Sequence, residues 1–503
     1  MTKTVRVVAC ILAVLMALSG LGMIALYISA AEVYDGTSVS ASLSGAGTEA
    51  DPYLIANGAD LAYFAANKVD GASYKLTADI VWSSYTKGGE APAASNWTAI
   101  SAFNGTFDGN GYSISGIYVK GDKTAAMFAT ATGTIKNLTI KDSYFEGTKY
   151  ISALVGQFVA VSDEAVMPSL TIENCVNYAD LCTTKKDSLL GSMVGDSLGN
   201  SNKSTYLTIT ISNCVNYGKI TTTPTSGTVY IGGIGGRVFG CPAVIENCAN
   251  FGDIENIRVI SGGILGQAGV KDYAGTEYAT NIINCYNAGN ISAVRICGGI
   301  IGRAYPGTNI SNCVNTGNVT STISLADAGA DDGYCAQFGP ITGHGADASA
   351  DAATYTNCGV ITNCYTSADA VVSNSSEASV SAFYASAATV KTAAELNSDA
   401  MVAALGEAYE LVDGKLTLKI VATAGKVEIE QPEETTPETT EPAPETSEPA
   451  PETSEPAPET TEPAPETTEP GASGDTSDSA IFYVVIAVMA IAATAVIAKR
   501  REN

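Results

Sequence analysis

Histidine is nearly absent from this chain, with His344 the single one in 503 residues. That excludes an HExxH metal site and a multi-histidine zinc site, and any histidine triad would depend on one residue. Positive charge is scarce as well. There are 26 Lys and Arg against 52 Asp and Glu, a formal net charge of −26. Such a chain repels nucleic acid, so no nucleic-acid partner is expected. Much of the acidic excess lies in one tract near the C-terminus, where it describes solvation more than a binding face.

Apolar runs of membrane length are confined to the two ends. Lys3 and Arg6 precede the run Val7 to Ile28, and Ser29-Ala30-Ala31 fits a small-x-small cleavage site. Residues 1–31 therefore read as a secretory signal peptide, with an uncleaved anchor as the alternative. Val7-Val8-Ala9-Cys10 has the outline of a lipobox, but the apolar run follows Cys10 instead of preceding it. At the other end, Ala480 to Ala498 carries no charge and is followed by Lys499, Arg500 and Arg501. A helix of that length spans about 28 Å, close to one hydrocarbon core. Residues 479–498 read as a transmembrane helix through which the chain partners a membrane, with 499–503 as a cytoplasmic basic tail.

Between the ends the chain repeats itself. Ile172-Glu-Asn-Cys-Val-Asn-Tyr recurs as Ile211-Ser-Asn-Cys-Val-Asn-Tyr, then with variations from Ile245, Ile282 and Ile310. An earlier copy at Ile135 has Leu138 in the Cys position. The six copies are spaced 37, 39, 34, 37 and 28 residues apart. A second mark, small-small-apolar-x-Gly, lies between them: Ser152 to Gly156, Gly191 to Gly195, Gly232 to Gly236, Gly262 to Gly266 and Gly298 to Gly302. A third, Gly-x-apolar, follows each Asn-Cys, as at Gly218-Lys-Ile220 and Gly252-Asp-Ile254.

Each repeat thus holds three short β-type runs, rich in β-branched residues and separated by Gly, Asn, Ser and Thr. One repeat cannot bury its apolar side alone, whereas a stack buries a continuous core. The expected fold is all-β: a right-handed parallel β-helix, one coil per repeat, with short helical caps. The stack occupies residues 101–385, with an N-terminal cap and first strands over 32–100 and a C-terminal cap over 386–426. Asp60 to Lys68 reads as a short amphipathic helix covering the first end. Ala393 to Leu405 reads as a helix, and Leu416 to Val421 as a last strand, at the other end.

The Asn-Cys pair has a physical reading. Asn tolerates left-handed backbone angles and suits a corner, which frees the next residue to point inward. Leu138 agrees, being aliphatic at the same place. Cys175, Cys214, Cys248, Cys285 and Cys313 then read as buried free thiols. Disulfides and a metal ladder are the alternatives. Stacked side chains lie about 4.8 Å apart, wider than the usual Cβ separation in a disulfide.

Residues 427–478 form a Pro/Glu/Thr-rich stalk, in which Glu441-Pro-Ala-Pro-Glu-Thr-Ser447 repeats with a period of seven. Pro favours polyproline II and Glu adds self-repulsion, so the tract reads as a disordered, extended spacer.

The small-small-apolar-x-Gly segments resemble the GLUG repeat of bacterial surface proteins. Gly47-Thr-Glu-Ala-Asp-Pro-Tyr53 and Gly105-Thr-Phe-Asp-Gly-Asn-Gly111 look like the usual start of such regions. The resemblance covers about residues 45 to 420. It implies an extracellular, adhesin-like β-helix in anaerobic Gram-positive bacteria. Some IgA-specific metallopeptidases carry similar repeats, but their zinc motif is absent here. Pro470-Gly-Ala-Ser-Gly-Asp475 is only faintly similar to a sortase signal.

Three function classes follow. The first is a cell-surface adhesin or binding protein, single-pass with its N-terminal region extracellular, whose partner is a glycan or a host or matrix protein. The second is a structural surface-layer protein. The third, supported by fold analogy alone, is a carbohydrate-active enzyme. For that third class the best carboxylate cluster is Asp327, Asp331 and Asp332 with His344. It reads more simply as a solvated Ala/Gly/Asp loop, so the chain is not expected to be an enzyme. No catalytic, cofactor-binding or metal residue is assigned, and no cofactor is expected.

Overall fold

The computed structural model describes residues 32–159, 168–198, 207–224, 226–256, 260–269, 279–322, 337–345, 360–374 and 388–420. The signal peptide (1–31), the stalk (427–478), the transmembrane segment (479–498), the basic tail (499–503) and Asp327, Asp331 and Asp332 lie outside these residues. Among the described residues, no helix is long and apolar enough to cross a membrane.

The repeats stack as a parallel β-solenoid, one coil per repeat. Ile135 pairs in register with Ile172, and the same row continues through Ile211, Ile245, Ile282, Ile310 and Ile361. Every rung of that row places a β-branched side chain in the core, and all seven are buried except the half-buried Ile361 at the last coil. The row extends backwards through Phe107, Tyr74 and Tyr53, so parallel pairing already begins at Tyr53–Ile55.

The coil is three-sided. Phe128–Lys136, Thr139–Lys141 and Tyr144–Ile151 each belong to a different sheet. The expected three runs per repeat thus correspond to three faces. The next coil divides two of the three faces further. Val155–Val159 and Ser169–Glu173 both pair with Phe128–Lys136, while Asp180–Thr183 and Leu189–Leu190 both pair with Tyr144–Ile151. Extra residues between the two halves interrupt each long ladder. A mature coil therefore has five short strands, two on the first sheet, one on the second and two on the third.

The corner between the first and second sheets is built as the Asn-Cys pairs imply. Asn137, Asn174, Asn213, Asn247, Asn284, Asn312 and Asn363 all have φ of 52° or 53°. This left-handed step reverses the in-out alternation, so the following residue turns inward. Leu138 and the cysteines at 175, 214, 248, 285 and 313 are fully buried, and Cys364 nearly so. The corner amides are laddered too, with Asn174 Nδ2 donating to Asn137 Oδ1 at 3.0 Å and Asn284 Nδ2 to Asn247 Oδ1 at 3.0 Å.

A helix packs its apolar face on the first rungs of the stack. Helix α1 (Gly58–Asn67) starts at Asn57, whose side chain accepts from the Asp60 N–H at 3.0 Å. Its apolar face presents Leu61 and Phe64, both fully buried. The Phe64 ring lies 4.5 Å from that of Tyr74 and 5.2 Å from that of Phe107.

The C-terminal segment departs from expectation. Its helical stretch is broken into α2 (Ala393–Leu396) and α3 (Asp399–Leu405), because Ser398 caps the second helix by accepting from the Met401 N–H. An antiparallel hairpin follows, Tyr409–Val412 with Lys415–Leu418. These elements cover a flank. Leu396, Met401, Leu405, Tyr409, Leu416 and Leu418 form a second apolar cluster with Val176, Val215, Ala249 and Val314 of the second sheet. The Tyr409 hydroxyl donates to the Cys285 and Asn312 carbonyls, 3.2 and 2.9 Å away. The physical reason is that the second sheet carries apolar residues on its outer side as well as its inner side. One of those sides needs a cover of its own.

Candidate functional site

The small-small-apolar-x-Gly segments form the junction between the third and first sheets. Their apolar residues Leu154, Met193, Ile234, Ile264 and Ile300 are buried in the core. The final glycine is required by close approach. A Cβ on Gly236 would lie 2.4 Å from the Gly195 carbonyl oxygen and 2.7 Å from the Leu190 amide nitrogen. Gly266 meets Gly236 and Ile231 in the same way.

The residue after that glycine is polar in every copy. Gln157, Asp196, Arg237, Gln267, Arg303 and His344 stand in register on successive coils. Arg237 grips Asp196 with two parallel hydrogen bonds, Nε to Oδ1 at 2.7 Å and Nη2 to Oδ2 at 2.9 Å. Gln157 Nε2 adds a third contact to Asp196 Oδ2 at 3.3 Å. The Asp196 side chain is 1 % exposed and that of Arg237 21 %. A bidentate, charge-assisted pair of this kind fixes both side chains. Burial works against the charge on Arg237, but the hydrogen bonds and charge of Asp196 outweigh it and raise the guanidinium above its ordinary value.

Tyrosines line the same ledge. The Arg237 guanidinium lies 5.8 Å from the centre of the Tyr230 ring, Arg303 lies 5.8 Å from that of Tyr305, and Lys123 lies 5.8 Å from that of Tyr150. Arg303 Nη1 also donates to the Tyr305 hydroxyl at 3.4 Å, and Phe239 meets Tyr305 edge to face at 5.4 Å. Burial pushes the Tyr230 phenol up, while Arg303 and Arg237 both pull it back. Tyr230 is thus within electrostatic reach of both guanidiniums. Gln267 stands between them in register, 5 % exposed, and its Oε1 has no hydrogen-bond partner. Arg237, Arg295 and Arg303 are the arginines among the described residues, and two of the three stand on this column.

The sequence reading did not single out this column. Its members differ in type, so no repeated letter marks them. The available signal was positional, namely a polar residue directly after each motif glycine. Of the acidic cluster proposed from sequence, only His344 is on a described strand, Thr342–Gly345, where its backbone is in register with Arg303. Among the described residues, no group of three or more His, Cys, Asp or Glu side chains is arranged to hold a metal ion.

A second ladder also escaped the sequence reading. Asn177, Asn216, Asn250, Asn287 and Asn315 are fully buried, and each Nδ2 donates to the Oδ1 of the next at 2.8 Å. Each Nδ2 also donates to the carbonyl two residues on, as Asn216 does to Gly218 at 2.9 Å. This ladder closes the turn into the third sheet and is satisfied along its length, so its role is structural.

No family model matches the chain, so the GLUG resemblance has no family match behind it. A stretch of 127 residues, 24% of this chain, is 32% identical to halomucin from Haloquadratum walsbyi. It spans 1% of that protein's length. Among solved structures, an immunoglobulin A1 protease candidate from Bacteroides ovatus superposes with a TM-score of 0.46 at 16% identity, covering 75% of this chain and 94% of that one. An IgA1 protease superposes with a TM-score of 0.45 at 17% identity, covering 72% of this chain and 25% of that one. At these values neither likeness bears on activity.

Proposed function

We propose that this chain is a cell-surface binding protein. In this reading a right-handed β-solenoid is carried on the 427–478 stalk above a membrane crossed by residues 479–498. Its partner is a glycan or a host or matrix protein. The observation that carries the reading is the column Arg237, Gln267 and Arg303, held in register on the outer side of the first sheet, with the Tyr230 and Tyr305 rings beside its guanidiniums. Aromatic and arginine side chains fixed by a rigid scaffold are what recognition sites are made of. Binding is favoured over catalysis because the one carboxylate of the ledge, Asp196, is tied up by Arg237 and Gln157. Three donors hold it, and at 1 % exposure it is closed to acid–base work on a substrate.

Incubating the full-length chain with an array of glycans and matrix proteins tests this. The expected result is a saturable partner, lost when Tyr230 is replaced by Ala. No partner on any array would favour a purely structural surface layer. Protease shaving of intact cells should release fragments of the 45–420 region. Retention of the protein in the cytosol would overturn the surface reading.

A further inference from the structure

We infer that the corner column of cysteines is a redox-sensitive switch on folding: the stack assembles from the thiol form, a small disulfide oxidant traps the unfolded chain, and the finished stack is closed to that oxidant. The binding role proposed above plays no part in this.

Three observations carry it. The first is position. The strands after the corner pair in register, Val176 with Val215, Val215 with Ala249, Ala249 with Tyr286, Tyr286 with Val314 and Val314 with Tyr365. The residue before each is Cys175, Cys214, Cys248, Cys285, Cys313 and Cys364, so these six thiols stand on consecutive coils. Thiols two coils apart are separated by about 9.6 Å. That lies beyond the Cα separation of about 7 Å that a disulfide spans. Only one full pairing of the six joins neighbours throughout, namely Cys175 with Cys214, Cys248 with Cys285 and Cys313 with Cys364. Even these neighbours are stacked about 4.8 Å apart, so a bond would have to draw their Cβ atoms closer than the strand spacing sets. The second observation is hydrogen bonding. Each column sulfur lies 3.2 to 3.4 Å from the carbonyl oxygen two residues back. The thiol hydrogen has an acceptor at every corner, and a disulfide has no hydrogen to give. The third is access. Five of the six are fully buried and Cys364 is nearly so, so an oxidant reaches them only when the stack opens. In the unfolded chain nothing imposes the order of the column, and every thiol can meet every other.

The chemistry is thiol–disulfide exchange. A cysteine thiolate attacks one sulfur of the oxidant, the S–S bond of the oxidant breaks, and one of its halves leaves as a thiolate. A second cysteine thiolate attacks the mixed disulfide and expels the other half. Two cysteine thiols are oxidised and one oxidant disulfide is reduced to two thiols. The two protons pass from the cysteines to the released thiols.

The test is refolding of the full-length chain, in mild detergent, from denaturant into reduced or oxidised glutathione. Far-ultraviolet circular dichroism reads the β-sheet, and peptide mapping reads the disulfides. A second chain isolates the column, with Cys10, Cys182, Cys241, Cys297, Cys335 and Cys358 each changed to Ala. Both chains should regain the sheet signal in reduced glutathione. Both should lose it in oxidised glutathione and carry disulfides between cysteines two or more coils apart. Dithiothreitol should restore the signal. Folded protein given the same oxidised glutathione should keep its signal and its column thiols. Changing the six column cysteines of the second chain to Val should make refolding indifferent to the oxidant, and Leu138 shows that this corner accepts an aliphatic side chain. Full recovery of the column-only chain in oxidised glutathione overturns the inference, whether its thiols stay free or pair with neighbours. Oxidation of the folded protein as fast as of the unfolded chain overturns it too. If the column-only chain does not refold even when reduced, peptide mapping of the parent decides. Disulfides between non-neighbouring column cysteines then keep the inference, and their absence overturns it.

Discussion

At the residue scale, the account turns on two kinds of side chain in the interior. The column of cysteines replaces an aliphatic residue, and Cys175, Cys214, Cys248, Cys285, Cys313 and Cys364 are free and buried. Their sulfurs act as weak hydrogen-bonding groups. Cys214 Sγ lies 3.2 Å from the Ser212 carbonyl oxygen, and the Cys285 N–H points at Cys313 Sγ across 3.4 Å. Burial pushes the thiols of Cys214, Cys248 and Cys313 well above their ordinary value. Only the thiolate reacts, so these buried thiols should react with a thiol reagent orders of magnitude more slowly in the native protein than in the unfolded, unreduced protein. The unfolded protein should then show most of its thiols free. Titration that finds these positions oxidised would refute the reading. The buried asparagines matter for the opposite reason, since each is polar and each is satisfied. Asn216→Ala removes an acceptor from Asn177 and a donor from Asn250. It should lower unfolding free energy by about 3 kcal/mol in a denaturant titration. A loss below about 1 kcal/mol would mean the ladder is not needed.

At the element scale, the inward set was legible in the sequence because it repeats by letter. Ile at one position and Asn-Cys at another mark a row and a corner, and both are where the spacing put them. The split of two faces into paired strands was not legible, since insertions of different length hide the shared register. The flank cover was missed because Val176, Val215 and Val314 look like any other strand valine until the face they occupy is known. The polar column was missed because register is shared while residue type is not.

Two predictions belong to elements. Ile300 sits at the buried centre of a Gly-rich junction, so Ile300→Asp should destabilise the stack by roughly 3 to 5 kcal/mol, with an unpaired charge in the core. A melting temperature unchanged by that substitution would contradict the placement of the segment. The second concerns the cover. Glu395 closes a capping box with Thr392 at the start of α2. The Thr392 backbone N–H, Lys391 and the Thr392 hydroxyl hold its carboxyl down to about 2. A carboxyl depressed on folding stabilises the fold above its unfolded value, about 4.3, and loses that contribution as pH falls toward the folded value. The stability difference between the parent and Glu395→Gln should therefore be largest near neutral pH. It should shrink between about pH 5 and pH 2. A difference that grows on acidification would contradict the capping geometry.

At the scale of the whole molecule, the solenoid is a ruler. Each coil adds one rung to every row, so any residue placed outward is repeated at a fixed interval along the axis. Such a scaffold suits recognition of a polymer, whose own repeat can be matched over several coils. All of this depends on the rows being vertical. Lys136 and Thr362 belong to one row, joined through Glu173, Ser212, Glu246, Ile283 and Ser311. They are six rungs apart, about 29 Å at 4.8 Å per rung. Spin labels on cysteines introduced at these two positions, with Cys335 and Cys358 replaced by Ser, measure that separation by double electron–electron resonance. The account predicts a single narrow distance near 29 Å, broadened only by the label linkers. A broad distribution, or a maximum far from that distance, would contradict the stacked register on which both the fold and the ledge depend.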